Sequence, residues 1–136
     1  MPKGVFDRGL GDAHVLLVEL HNKFRVMARH RGHEFILTRE QLANIVFRVC
    51  HYCGCEPYQR MQLRRNIPGM GTRIPVKWLT YNGVDRVDSS KGYTVDNCVP
   101  CCGVCNRMKN DQTYPDFIAR IRKILDRAEE RAYLCQ

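Results

Sequence analysis

Long hydrophobic runs are absent from this 136-residue sequence. None approaches the roughly 20 consecutive apolar residues that a membrane-spanning helix requires. The N-terminus, MPKGVFDRGLGDAH, lacks the apolar segment of a secretory signal, and no internal repeat or low-complexity tract is present. With 44% hydrophobic and 26% charged residues, the composition is that of a globular protein. These features predict one domain over residues 1–136, located in the cytoplasm and without membrane contact.

Acidic residues are scarce: Asp and Glu total 14 against 22 Lys and Arg, which gives a net charge of +8. An excess of this sign favours a polyanionic partner such as nucleic acid. The same charge can also serve only to keep a protein soluble. Charge alone therefore leaves both interpretations open.

Two helices are predicted in the N-terminal part of the chain. Apolar residues recur at helical spacing over residues 12–31, and the opposite face is basic, with Arg29 and Arg31 near its end. The second helix, residues 39–48, follows a Thr38-x-x-Gln41 capping box, in which the two side chains satisfy each other's backbone amides.

The middle of the chain is expected to contain a loop followed by strands. Residues 56–75 combine Pro, Gly and Arg and predict a loop, with one short helical turn near 59–65 as its regular structure. This basic loop either contacts phosphate or is a solvated excursion. A strand or hairpin follows over residues 76–87, with Asn82-Gly83 as its turn. A short strand is expected at 97–101.

Two further helices are predicted at the C-terminal end. One begins at about Cys105, and a longer one begins near Thr113, which is suited to cap it. The longer helix carries an apolar stripe that we expect to pack in the core. Its members are Phe117, Ile118, Ile121, Ile124, Leu125 and Ala128.

The eight cysteines include two widely separated pairs, Cys50-x-x-Cys53 and Cys102-x-x-Cys105. Each pair can direct two thiolates at one ion, and four sulfurs at about 2.3 Å complete the tetrahedral shell of a structural zinc. The alternative is a set of free thiols or a redox pair, but no thioredoxin-like βαβ unit accompanies the motif. The remaining cysteines are predicted not to bind the metal: Cys55, Cys98, Cys101 and Cys135. Cys101 is a rival to Cys102 that lacks the two-residue spacing.

The segment from Asn82 to Lys109 resembles the HNH endonuclease motif. Its sequence is NGVDRVDSSKGYTVDNCVPCCGVCNRMK, which places Asp85, Asn97, Asn106 and Lys109 in the register of that motif. Upstream, Ala28-Arg-His-Arg-Gly32 and Cys50-His-Tyr-Cys-Gly54 are similar to the N-terminal half of small phage and bacterial HNH proteins. The resemblance covers roughly residues 20–125 and implies a bacterial or phage-infected cytoplasm.

By this resemblance the fold is α+β, a zinc-stabilised ββα-metal core (residues 50–111) between N-terminal helices (12–48) and a C-terminal helix (113–134). Asp85 and Asn106 would hold one Mg²⁺ or Mn²⁺, and such oxygen ligands suit either ion. Asn97 would pin the loop between the strands and orient the base. The implied reaction is metal-dependent hydrolysis of DNA phosphodiester bonds, with nicking as one form of it.

One position departs from the family pattern, because Arg86 stands where HNH enzymes have a His that activates water. An arginine stays protonated near neutral pH and cannot act as a general base. In one interpretation Arg86 grips the phosphate while Asp88 or a metal-bound hydroxide takes the proton. In a second the site is catalytically silent, and in a third Arg86 forms a structural ion pair with Asp88 or Asp96. The histidines on or beside the first helix, including His33, show no partner spacing.

Duplex DNA is the implied partner, met mostly through backbone contacts. The groove-facing residues would be Arg86, Lys91, Arg107 and Lys109, with Arg29 and Arg31 as a second surface. Such phosphate contacts position a protein without reading sequence, which predicts weak sequence preference and strong salt dependence. The competing hypothesis is a catalytically silent zinc module that binds nucleic acid or a protein partner. The sequence does not indicate an oligomeric state.

Overall fold

The computed structural model describes residues 10–66, 68–69, 71 and 73–134, and within them four helices and four strands occur. The helices are α1 (Leu10–His30), α2 (Arg39–Val46), α3 (Gly103–Lys109) and α4 (Tyr114–Leu134). The strands are β1 (Gln59–Asn66), β2 (Arg73–Tyr81), β3 (Gly83–Arg86) and β4 (Cys98–Cys101). They form two antiparallel two-stranded sheets, β1–β2 and β3–β4. This mixture confirms the predicted α+β class.

The N-terminal helices form as their sequence patterns predict. One face of α1 is buried in the main core through Leu16, Leu20, Phe24 and Ala28. At the start of α2, Thr38 Oγ1 accepts from the Gln41 amide at 3.2 Å, and the Thr38 amide donates to Gln41 Oε1 at 2.9 Å. The capping box is therefore confirmed, although α2 ends at residue 46, two residues before the predicted end.

The prediction of a loop over residues 56–75, with one helical turn, is wrong. Residues 59–66 form β1, which pairs with β2 from Gln59↔Tyr81 to Asn66↔Arg73, with an irregularity between Leu63 and Arg64. The inner face of this hairpin carries Leu63, Leu79 and Tyr81, all buried in the main core. Burial of these apolar side chains outweighs the weak strand propensity of the neighbouring Gln and Arg residues.

Asn82-Gly83 is not a hairpin turn, because the strands on its two sides belong to different sheets. The Asn82 amide donates to Val46 O at 2.7 Å, and its side-chain Nδ2 donates to Arg48 O at 2.8 Å. A side chain at Gly83 would place a Cβ 3.0 Å from Cys101 O. The dipeptide therefore connects the two sheets, and its hydrogen bonds hold this connection against the end of α2.

The apolar stripe of α4 is only partly in the core, which corrects our prediction. Phe117 is buried and Ile118 and Ile121 are half-buried, but Ile124 and Leu125 are 59% and 56% exposed. The helix spans about 31 Å at 1.5 Å per residue, so its C-terminal half extends beyond the core. Cys135 lies outside the described residues. Across the described part of the chain, no helix combines the length and the apolarity needed to cross a membrane.

Candidate functional site

The two Cys-x-x-Cys pairs come together as predicted. The sulfurs of Cys50, Cys53, Cys102 and Cys105 all lie within 4.8 Å of one another. Cys53 Sγ is 3.8 Å from Cys102 Sγ, and tetrahedral zinc with Zn–S bonds of about 2.3 Å requires a sulfur–sulfur separation of about 3.8 Å. The four-cysteine cluster can therefore hold a zinc ion.

Backbone amides prepare this cluster for metal. The Cys102 amide donates to Cys50 Sγ at 3.3 Å, and the Cys105 amide donates to Cys102 Sγ at 3.4 Å. Burial opposes ionisation of Cys50, but hydrogen bonds from the amides of Cys102, Cys53 and Tyr52 outweigh it and lower the pKa of its thiol to about 6. By contrast, burial raises the pKa of Cys98 to about 11, and Cys101 lies outside the cluster. The spacing argument for Cys102 over Cys101 is therefore confirmed.

The cluster joins the N-terminal helices to a ββα unit made of β3, β4 and α3. The first knuckle docks on β4, because the His51 amide donates to Pro100 O at 2.8 Å. Strands β3 and β4 pair with Asp85 opposite Val99. Cys102 caps α3, which lies against β3 and begins directly after β4. This arrangement places Asp85 beside the helix that carries Asn106.

Asp85 is 4% exposed and is held by two side chains from different elements. Lys109 Nζ lies 3.1 Å from Asp85 Oδ2 and 3.3 Å from Oδ1, and it also donates to Arg86 O at 3.2 Å. The phenol of Tyr52, from the first knuckle, donates to Asp85 Oδ2 at 2.5 Å. Burial and the adjacent carboxylate raise the pKa of Tyr52, so its phenol remains a donor.

Lys109 is fully buried, so it does not lie on the DNA-facing surface predicted for it. Its ammonium group is paired with the Asp85 carboxylate and hydrogen-bonded to the backbone carbonyl of Arg86. The sequence register placed Lys109 correctly on α3. The direction in which its side chain points, however, is set by the packing of α3 against β3. Its role in the structure is to compensate a buried carboxylate.

A cleft of about 530 Å³ opens next to this ion pair. Asp85 and Asn106, the predicted ligands of Mg²⁺ or Mn²⁺, both line it. Three of the predicted nucleic-acid contacts line it as well: Arg31, Arg86 and Arg107. Lys91 is exposed on the loop after β3, and Arg29 is exposed at the end of α1. The cleft thus combines a carboxylate, an amide and several guanidinium groups.

Arg86 braces the loop between β3 and β4. Its Nη1 donates to Ser89 O at 2.7 Å and to Lys91 O at 2.8 Å, and its guanidinium carbon lies 5.2 Å from the centre of the Tyr93 ring. Among the described residues, the ion pairs of Asp88 and Asp85 are made by lysines. The predicted pairing of Arg86 with Asp88 or Asp96 is replaced by these carbonyl contacts.

Asn97 pins the same loop, as the family resemblance implied. Its Oδ1 accepts from the Asp88 amide at 2.9 Å, and its Nδ2 donates to Asp88 O at 3.0 Å and Gly92 O at 2.9 Å. The Asp88 carboxylate is engaged by Ser90 and Lys91, and these contacts lower its pKa to about 2. Asp88 is therefore a turn residue and a weak base, which speaks against the proton-accepting role predicted for it.

Two residues near the cleft were not found from the sequence. Tyr52 lies 33 positions from Asp85, and no local pattern links them. His33 comes next to a segment that hydrogen-bonds to the Arg86 loop, since the Tyr93 amide donates to Glu34 O at 2.8 Å. Partial burial and the nearby charges of Arg86 and Arg31 lower the pKa of His33, which favours its neutral imidazole.

Comparison with known proteins supports the fold. No protein-family model matches the chain. It is 32% identical over 96 residues to the uncharacterised protein R423 of Acanthamoeba polyphaga mimivirus; the match spans 71% of this chain but 14% of the viral protein. The structure is similar to that of the rare-cutting HNH restriction endonuclease PacI, with a TM-score of 0.54 and 21% identity over 97% of this chain and 92% of the other. The chain therefore shares the fold of an HNH endonuclease.

Proposed function

We propose that this chain is a divalent-metal-dependent endonuclease that hydrolyses phosphodiester bonds in duplex DNA. The observation that carries the proposal is the shared cleft of Asp85 and Asn106, lined by three arginines and built on a ββα unit. A carboxylate and an amide beside cationic side chains suit a metal and a phosphate in one place. The similarity to a DNA-cleaving HNH enzyme supports this interpretation.

The four-cysteine cluster would bind a structural zinc. Its sulfurs have the separation that a closed tetrahedral site needs, and they leave no coordination position for substrate. The cluster ties the knuckle after α2 to the start of α3. Zinc would therefore hold the ββα unit against the N-terminal helices and contribute to folding.

Asp85 and Asn106 fit Mg²⁺ or Mn²⁺ by the chemistry of their oxygens. A carboxylate accepts several hydrogen bonds, so Tyr52 and Lys109 leave acceptor capacity on Asp85. When bound, such an ion stabilises the negative charge that develops on the leaving oxygen. Because Lys109 already neutralises Asp85, we expect weak metal binding without DNA, and the phosphate supplies further ligands.

His33 is the proton acceptor that we propose in place of the residue at position 86. Its lowered pKa favours the neutral imidazole, the form that a general base requires. Its chain segment is bonded to the loop that Arg86 braces. Arg86 and Arg107 would orient the phosphate within the cleft.

A catalytically silent DNA-binding module is the second candidate. The observation in its favour is that Asp85 is already satisfied by Tyr52 and Lys109. A supercoiled-plasmid assay separates the two candidates. Purified chain is incubated in metal-free buffer or with Mg²⁺, Mn²⁺ or Ca²⁺, and band shifts are measured in parallel. Plasmid relaxation with Mg²⁺ or Mn²⁺, but not in metal-free buffer or with Ca²⁺, supports the nuclease. Band shifts without relaxation in any of the metals support the silent module.

A further inference from the structure

One face of the hairpin formed by β1 and β2 is exposed at nearly all of its described residues. Side chains alternate between faces along a strand, so the register places Arg60, Gln62 and Arg64 opposite the buried inner face that contains Leu63. On β2 the same outer face carries Trp78 and Thr80. All of these are exposed except Gln62, which is half-buried.

The hairpin lies in the longest stretch of the sequence without an acidic residue. Residues 57–84 include Arg60, Arg64, Arg65, Arg73 and Lys77 and contain no Asp or Glu. A solvated surface hairpin ordinarily mixes both signs. An acid-free basic ribbon is instead suited to a polyanion.

One arginine on the outer face stacks on an aromatic ring. The guanidinium carbon of Arg60 lies 5.0 Å from the centre of the Trp78 ring. Stacking on an aromatic face restricts the long side chain while leaving its outward N–H donors available. Trp78 is half-exposed and is the single tryptophan of the chain. The pair is therefore a pre-oriented hydrogen-bond donor on an apolar platform.

The hairpin also lies at the edge of the candidate site. Gln59 begins β1 and lines the same cleft as Asp85. At the other strand, Tyr81 leads through the buried Asn82 directly into β3. A duplex positioned with its phosphate in the cleft would therefore run close to the base of the hairpin.

We propose that the outer face of this hairpin reads base edges in the DNA major groove, an inference that rests on the proposed function. The major groove, about 12 Å wide, admits a two-stranded ribbon. Its side chains are those that pair with bases there: Arg with guanine, Gln with adenine, and Thr with the thymine methyl group. From position 60 to 64 the strand rises about 13 Å, or roughly four base steps. This replaces the weak sequence preference expected from backbone contacts alone.

The test is a binding selection from a duplex library with a randomised centre, carried out in Ca²⁺ so that cleavage is not required. Wild-type chain, Arg60→Ala and Gln62→Ala are compared with Arg122→Ala, an arginine control on the exposed side of α4. We expect wild type and Arg122→Ala to enrich the same motif. Each hairpin variant should lose discrimination at one or two positions, by about 5- to 100-fold.

A second readout needs no variant. Because Trp78 is the single tryptophan, its fluorescence should change more on addition of a selected duplex than of a scrambled one. Hairpin variants that enrich the wild-type motif, or wild type that enriches none, would overturn the inference. Plasmid nicking by the same proteins is measured separately. Absence of nicking by wild type, together with a motif that depends on the hairpin, would refute the nuclease but not the hairpin inference. Nicking by wild type, together with hairpin variants that enrich the wild-type motif, would refute only the hairpin inference.

Discussion

The Tyr52 phenol donates a 2.5 Å hydrogen bond to Asp85 Oδ2, and this contact links the first cysteine knuckle to the proposed metal ligand. Tyr52 lies between Cys50 and Cys53 in sequence, and its ring packs edge-on against Phe117 at 5.6 Å. Tyr52 therefore holds the Asp85 carboxylate from the first cysteine knuckle. Lys109 fixes the same carboxylate from α3.

We predict that Tyr52→Phe leaves the fold intact but weakens the site. Loss of a hydrogen bond to a charged group should reduce the free energy of unfolding by about 1.5–3 kcal/mol. Nicking should fall as well, because Asp85 is left with Lys109 as its main constraint. Chemical denaturation and plasmid nicking are the measurements. Tyr133→Phe, at a position on α4 that is 83% exposed, is the matched control. Equal behaviour of the two variants would show that the contact has no influence.

The cysteine cluster predicts a sharp contrast between two substitutions. Wild-type chain purified without chelator should contain about one equivalent of zinc. Cys53→Ala should lose it and unfold in large part, because metal binding contributes folding free energy. Cys98→Ala, at a buried cysteine outside the cluster, should retain the metal. Elemental analysis and circular dichroism check both expectations. Zinc-free wild type with a native spectrum would contradict them.

Lys109 and Arg107 should separate stability from DNA binding. Lys109→Met leaves the Asp85 carboxylate buried without its cation, and should lower the free energy of unfolding by about 3–5 kcal/mol. Arg107→Ala, two residues away and exposed in the cleft, should leave stability unchanged. It should reduce the slope of log affinity against log salt by about 0.9. The opposite assignment, with Lys109→Met stable and its salt slope reduced, would place Lys109 at the phosphate.

The proposal for His33 gives a pH dependence of defined sign. Its pKa is lowered from 6.5 by partial burial and by Arg86 and Arg31, and only the neutral imidazole accepts a proton. The single-turnover rate should therefore rise with pH and reach half its plateau below pH 6.5. His33→Ala should flatten that limb and reduce the plateau, whereas His30→Ala, exposed on the last turn of α1, should change neither. A limb unchanged in His33→Ala would exclude this residue as the base.

The parts of the molecule that follow from local sequence were predictable. Two-residue cysteine spacing and the Thr38–Gln41 capping box act over short distances, so the chain encodes them directly. The register of Asp85 with Asn106 came from the family resemblance, not from a local pattern. Strand β1 was not predictable in this way. Its inner residue Leu63 is flanked by Gln62, Arg64 and Arg65, and its burial depends on packing against α1 and β2.

The same distinction holds within the site. Lys109 lies 24 positions from its partner Asp85, and a lysine at a helix end ordinarily extends to solvent. Its burial depends on how α3 packs on β3, which no local pattern specifies. The exposure of Ile124 and Leu125 on α4 is the converse case. A helical apolar stripe identifies a face that can be buried, but not whether another part of the chain reaches it.

The most direct test of the account is the initial rate of supercoiled-plasmid nicking in Mg²⁺ by Asn106→Ala relative to wild type. Asn106 is preferred to Asp85 for this test because its substitution leaves no buried cation unpaired. Arg122→Ala serves as the control, and zinc content and circular dichroism confirm that each protein is folded. We predict metal-dependent nicking by wild type and control, and a loss of about 100-fold or more in Asn106→Ala. Equal nicking by folded Asn106→Ala, or none by wild type in any divalent metal, would contradict the account.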